Sequence, residues 1–272
     1  MTRFFKLSGG GNDFIALAEA EEPTARQIAI WCRRGTSEGA DGLFLLDRED
    51  GAVRMRHFNS DGKRAALCVN GTRCAARLAF ELGWASGTTS VETDAGSFQA
   101  REVGALDVEL ELPAPEAAPQ PLEILHDGTL WQGLHLVVGV PHLVILWRRP
   151  MSEAPVATVG PALRSAAILG EAGANIDFVA FRAPHRMEIR SFERGVEAET
   201  LACGTGVLAA TVVGLAGRLV ELPLTALTRG GFSIDVGVGR QEEHWSLRGD
   251  ARLVAEGTLR EGAAATPTPP DW

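Results

Sequence analysis

Apolar and polar residues alternate in several short runs. Leu106-Asp107-Val108-Glu109-Leu110-Glu111-Leu112 keeps a period of two, as do Val53-Arg54-Met55-Arg56, Met187-Glu188-Ile189-Arg190 and Phe232-Ser233-Ile234-Asp235-Val236. This pattern predicts half-buried strands with the apolar face inward and the charged face outward. Three segments carry helical spacing instead. Thr24 to Arg34 follows Pro23 with a capping threonine and places Ile28, Trp31 and Cys32 on one face. Asn70 to Leu82 and Thr205 to Leu219 are rich in Ala, Leu and Val. The last is apolar almost all round, the mark of a helix buried on every side.

Two breaks interrupt this patterning. Pro113 to Pro121 holds four prolines in nine residues, which suits neither a helix nor a central strand, so it reads as an interdomain linker. Gly262 to Trp272 is small residues and prolines and reads as a frayed tail. The division is expected at 1–115 and 116–256, with a disordered tail over 263–272. The two apolar helices also follow similar turns: Cys68-Val69-Asn70-Gly71 leads into one and Cys203-Gly204-Thr205-Gly206 into the other, 135 positions apart. Each half then has strands, a cysteine with a glycine-containing turn, and a buried helix. The simplest architecture is a pseudo-symmetric two-domain α/β protein of α+β type, each half a helix wrapped by strands.

Composition narrows the class. With 26 Lys and Arg against 35 Asp and Glu in 272 residues, the net charge of −9 has the wrong sign for a nucleic-acid or anionic-membrane binder. The start has no signal-peptide pattern, and the longest charge-free apolar stretch, Leu201 to Gly217, is short of a membrane span. A cytoplasmic protein with reduced thiols is expected. No CxxC pair or HExxH occurs and the six histidines lack ligand spacing, so no metal is expected. Gly9-Gly10-Gly11 lacks the Lys-Ser/Thr of a phosphate loop and reads as a tight turn.

The chemistry concentrates on two cysteines. The first amides of a helix have no intrahelical partner, and the helix dipole puts partial positive charge there. A cysteine at that place has its thiolate favoured, and the amides after it can hold a carboxylate. Two such units facing one another would set an α-carbon between two thiols. One thiolate could remove the α-proton and the other thiol return a proton to the opposite face, without a cofactor. Against this, a free cysteine commonly packs as a small hydrophobe. Cys32 and Cys74 read that way, whereas for Cys68 and Cys203 both readings stand.

A set of separated motifs in one order resembles the diaminopimelate epimerase family. They are Gly11-Asn12-Asp13-Phe14, Gly39-Ala40-Asp41-Gly42, Phe58-Asn59-Ser60-Asp61-Gly62, Cys68-Val69-Asn70-Gly71-Thr72-Arg73-Cys74, Gly139-Val140-Pro141-His142, Asn175, Glu193-Arg194-Gly195, Glu199-Thr200-Leu201-Ala202-Cys203-Gly204-Thr205-Gly206, and Leu247-Arg248-Gly249-Asp250-Ala251 with Glu256-Gly257. The resemblance implies two strand-rich barrels, each around a central helix, with the active site in the interdomain cleft. It implies that the strand after Glu256 (257–262) returns to the first domain. It implies cofactor-independent interconversion of LL- and meso-diaminopimelate, serving lysine and peptidoglycan synthesis, by a homodimer. Cys68 and Cys203 match the catalytic cysteines, and His142 and Glu193 the auxiliary acid–base residues. The amides of Val69, Asn70, Gly204 and Thr205 match the carboxylate cradle. Asn12, Asn59, Asn175 and Arg194 match substrate-binding positions. The chain departs from the usual pattern at Val140 and Val69, at the cations Lys63-Arg64, and in an Arg194-to-Cys203 segment one residue longer. A related two-cysteine racemase for another amino acid, such as histidine, and a noncatalytic small-molecule binder on the same fold are the alternatives.

Overall fold

The computed structural model describes residues 2–260, and the tail expected over 263–272 lies outside them. The chain packs as two units. One takes the residues up to Val108 and from Ala251 on; the other is Glu109–Asp250.

The first unit begins with β1 (Thr2–Gly9), β2 (Asn12–Ala18), α1 (Ala25–Trp31), β3 (Gly42–Glu49), β4 (Ala52–Asn59) and β5 (Arg64–Ala65). Then come α2 (Val69–Glu81), β6 (Thr88–Thr93), β7 (Gly96–Val103) and β8 (Asp107–Pro113), which runs on into the second unit. Thr24 starts α1 through a reciprocal capping box with Gln27. Strand β2 lies parallel to β3, β3 antiparallel to β4, β4 antiparallel to β5 and parallel to β6, and β6 antiparallel to β7. Helix α2 packs against β1, β2, β3, β4, β6 and β7. Its small buried residues Cys74, Ala75, Ala76 and Ala79 let the strands come close. A Cβ on Gly9 would stand 2.7 Å from the Cys74 sulfur, so glycine is needed where β1 crosses the helix.

The second unit repeats the order after an added hairpin strand. It comprises β9 (Gln120–His126), β10 (Thr129–Val138), β11 (Val140–Leu146), α3 (Val156–Arg164), β12 (Asn175–Ala183), β13 (Arg186–Glu193), β14 (Ala198–Thr200), α4 (Gly204–Ala216), β15 (Leu224–Leu227), β16 (Ser233–Val238) and β17 (His244–Asp250). The pairing scheme is the same: β11 parallel to β12, β12 antiparallel to β13, β13 antiparallel to β14 and parallel to β15, β15 antiparallel to β16. Helix α4 packs against β10, β11, β12 and β16, and is buried continuously from Gly206 to Gly214. Each buried Val or Leu there contributes roughly 1.5–3 kcal/mol relative to exposure. The last strand, β18 (Arg252–Leu259), lies antiparallel to β1 and packs on α2 in the first unit.

The fold is thus α+β and strand-rich, with a helix at the centre of each unit. The proline-rich segment has neither helix nor strand over 114–119, as its composition predicts, but it lies inside the second unit and not between the two. Pro113 ends β8 and Pro121 lies within β9, inside the second unit. Strand β9 pairs with β10, with Pro121 opposite Leu134, and a strand tolerates proline where its N–H is not needed by a partner. No helix among the described residues is long and apolar enough to cross a membrane.

Candidate active site

Each of the paired cysteines caps a helix. Cys68 precedes α2 in extended conformation, half-buried, and its sulfur accepts the Gly71 N–H at 3.4 Å. Cys203 precedes α4 in the same conformation, 4 % exposed, and accepts the Gly206 N–H at 3.4 Å. The third amide of each helix therefore turns to sulfur. The residues before it, Val69 and Asn70 on α2 and Gly204 and Thr205 on α4, are the first two of their helices. An N–H group at that position has no intrahelical acceptor and suits an anion.

In the second unit a polar cluster surrounds Cys203. The Asn175 amide approaches its sulfur at 3.9 Å and the Thr205 hydroxyl at 3.5 Å. Glu193, at the end of β13, accepts the Thr200 hydroxyl and also meets the thiol. Burial pushes the Cys203 thiol well above its usual range, and the Glu193 and Asp177 carboxylates push it further; the Thr205 hydroxyl and Gly206 amide act against them. Glu193 is likewise raised by burial, with Asp177 adding to the rise and Thr200, Cys203 and His142 opposing it. Neighbouring groups that both resist losing a proton form an acid able to give one and slow to give two. His142, on β11, is fully buried and bonded through Nδ1 to Asp177 at 2.7 Å.

Asn175 and Arg194 are held together differently from a pair of side-chain donors. Asn175 uses its side-chain oxygen on the Arg194 backbone N–H at 2.8 Å, while the Arg194 guanidinium reaches the Ala172 carbonyl at 3.3 Å. In the first unit Asn12 and Asn70 meet: the Asn70 amide donates to Asn12 at 2.6 Å, and Asn12 donates to Asp41 at 3.1 Å. The buried Arg73 guanidinium donates to Asn70 at 2.7 Å. Asp13, next in the chain, is opposed by burial, but its contacts with Arg34 and Lys6 hold its carboxyl below the usual range. Asn59 ends β4 opposite Gly42, its backbone turned onto Lys63 and Gly62.

Asp177 and Ser191 join this cluster without having been singled out from the sequence, and Thr200 joins it from the Glu199–Gly206 motif, which gave it no role of its own. Ser191 directly follows the alternating run Met187–Arg190 and looks like one more polar position. Asp177 left a signal: it is a lone acid inside the otherwise apolar Ile176-Asp177-Phe178-Val179-Ala180, and a buried acid needs partners. Among the described residues no group of three or more His, Cys, Asp or Glu side chains could hold a metal ion.

A strand-rich frame with a thiol at the mouth of each central helix defines a class of two-cysteine proteins. The sequence signature described as Diaminopimelate epimerase matches residues 4–106. The diaminopimelate epimerase of Aquifex aeolicus (strain VF5) is 32% identical over 95% of this chain and 98% of its own length. That of Methanothrix thermoacetophila is 38% identical over 84% and 86%. The chain belongs to the diaminopimelate epimerase family. Its fold is also that of a probable proline racemase from Agrobacterium radiobacter K84, solved with bound carbonate. That structure has a TM-score of 0.74, 13% identity, and coverage of 98% of this chain and 97% of the other.

Proposed function

We propose that this protein interconverts LL- and meso-2,6-diaminopimelate, in lysine and peptidoglycan synthesis, by two-base proton transfer between Cys68 and Cys203. The observation that carries the reading is the matched capping of two helices by cysteine, in a chain of this family. The reacting carboxylate is held by the first backbone amides of the two helices, those of Val69, Asn70, Gly204 and Thr205. Those amides stabilise the negative charge that develops on it when the α-proton leaves, which is the main barrier to the reaction. In the direction where Cys203 is the acid, its protonated thiol delivers a proton to the carbanion. Glu193 and His142 return the two thiols to their starting protonation states. Asn12, Asn59, Asn175 and Arg194 bind the rest of the substrate. The reaction needs no cofactor. The reading includes a cytoplasmic homodimer, which rests on the resemblance and is tested by light scattering.

The test is α-proton exchange in D2O, followed by NMR, on reduced protein with LL-diaminopimelate and a panel of other amino acids. Exchange and meso product with diaminopimelate alone are expected. Exchange with another amino acid only would move the chain to a related racemase. Cys68→Ser and Cys203→Ser are each expected to lower turnover at least 10³-fold, on the order seen when a nucleophile or base of a catalytic set is removed. Retained turnover in either variant would overturn the two-base assignment.

A further inference from the structure

We propose that Asp177, supported by Ser191, is a positioning residue that locks the His142 ring with its proton on Nδ1 and leaves Nε2 as a proton acceptor. The inference rests on the epimerase reading for what Nε2 then accepts. It rests on geometry for the lock itself.

His142 and Asp177 are both 0 % exposed, and Nδ1 lies 2.7 Å from Oδ2. The Ser191 hydroxyl donates to the other carboxylate oxygen at 2.5 Å. Gly206 allows the carboxylate its place: a Cβ there would stand 2.5 Å from Asp177 Oδ1. That puts Oδ1 against the first turn of α4, where the helix dipole favours negative charge. A carboxylate that already accepts the serine proton, beside a helix N-terminus, takes the imidazole proton onto its side of the ring. The neutral ring then carries its lone pair on Nε2. Nε2 is buried and bonds to no protein group. A buried imidazole nitrogen without a partner is costly, and unlike His57 the His142 ring lies beside the Cys203 cluster, where it acts on Glu193, so its partner arrives with the reaction. A thiol proton passed to Nε2 leaves a thiolate and an imidazolium, and Asp177 stabilises the latter.

The frame itself does not call for these polar groups. His142 opens the pairing of β11 with β12 as Phe14 opens that of β2 with β3. Asp177 pairs with Ser191 as Phe44 pairs with His57. In the first unit these positions hold rings: Phe14 and Phe44 lie 6.1 Å apart between centroids, and Phe14 and His57 5.8 Å. The same frame is filled by ring packing in one unit and by a buried hydrogen-bonded trio in the other. Burying three polar groups costs more desolvation than packing two phenyl rings against one imidazole.

The test reads the ring directly. In protein labelled with 15N-histidine, His142 is assigned by the signal lost in His142→Gln. The expected unliganded spectrum shows a protonated Nδ1 and an unprotonated Nε2. Asp177→Asn, whose amide can donate to Nδ1, is expected to admit the opposite tautomer and to lower kcat on the order of 10²-fold with little change in KM. Ser191→Ala is expected to do the same more weakly and covers the case in which Asp177→Asn does not fold. A wild-type ring protonated on Nε2 overturns the inference. So does an unchanged tautomer and kcat in the folded variants. The ring state needs no substrate, so a wild type that does not epimerise would sink the functional reading and leave the tautomer lock to be judged on its spectrum.

Discussion

His57 shows how one buried residue sets a pH limit. It is 6 % exposed, its Nδ1 has no partner, and burial lowers its pKa from 6.5 to about 4. In the unfolded chain the same histidine takes a proton near pH 6.5. Between that pH and about 4 the unfolded state therefore binds more protons, and stability falls as pH falls. The difference is worth about 3 kcal/mol. His57→Phe should flatten the urea midpoint between pH 6.5 and 4 relative to wild type. Carboxylates with lowered pKa values, such as Asp13 below this window and Glu92 and Glu197 at its foot, act alike in both proteins, and the raised Glu193 is common to both. Equal slopes in the two proteins would refute the assignment.

At the scale of elements, the paired thiols are also caps. A cysteine sulfur at 3.4 Å is a weak acceptor for a helix N–H, and serine is a preferred N-cap. Cys68→Ser should therefore leave α2 as stable or up to about 1 kcal/mol more stable, while turnover is lost. Thermal unfolding beside the exchange assay checks this, and a clear fall in Tm would show the thiol to be needed for packing. The helices were legible because their patterns are strong. Those expected to start at Asn70 and Thr205 start at Val69 and Gly204, one residue earlier each. The alternating runs also lie in strands, with Leu106 just before β8 and Phe232 just before β16. Strands β11 and β12 gave no such alternation because both faces are buried over much of their length. Of the trio, His142 came through the resemblance, Asp177 left only the mark of a lone acid in an apolar run, and Ser191 looks ordinary in its strand; their meeting was hidden because they come from three strands.

At the scale of the whole chain, the passages between the units converge on one side chain. The chain leaves the first unit after Val108 and re-enters at Ala251. Arg77, on α2 and 2 % exposed, donates to the Asp107 carbonyl at 3.0 Å, the Gly104 carbonyl at 3.1 Å and the Ala251 carbonyl at 3.0 Å, and pairs with Glu102. The Ala251 N–H in turn donates to the Leu106 carbonyl at 2.7 Å. The outgoing and returning segments are thus fixed to the central helix of the first unit by one guanidinium, whose fork of five donors can serve several acceptors at once. Its removal leaves three carbonyls and a carboxylate without their partner. Arg77→Met keeps the apolar stem and loses the fork, and should cost about 3–5 kcal/mol. Hydrogen exchange should show the loss where the contacts are. Amides of β1, β7, α2 and β18 should lose protection, while those of α4, β12 and β13 keep theirs. Protection lost evenly over both units would mean that they unfold as one, and would remove Arg77 as the local clasp.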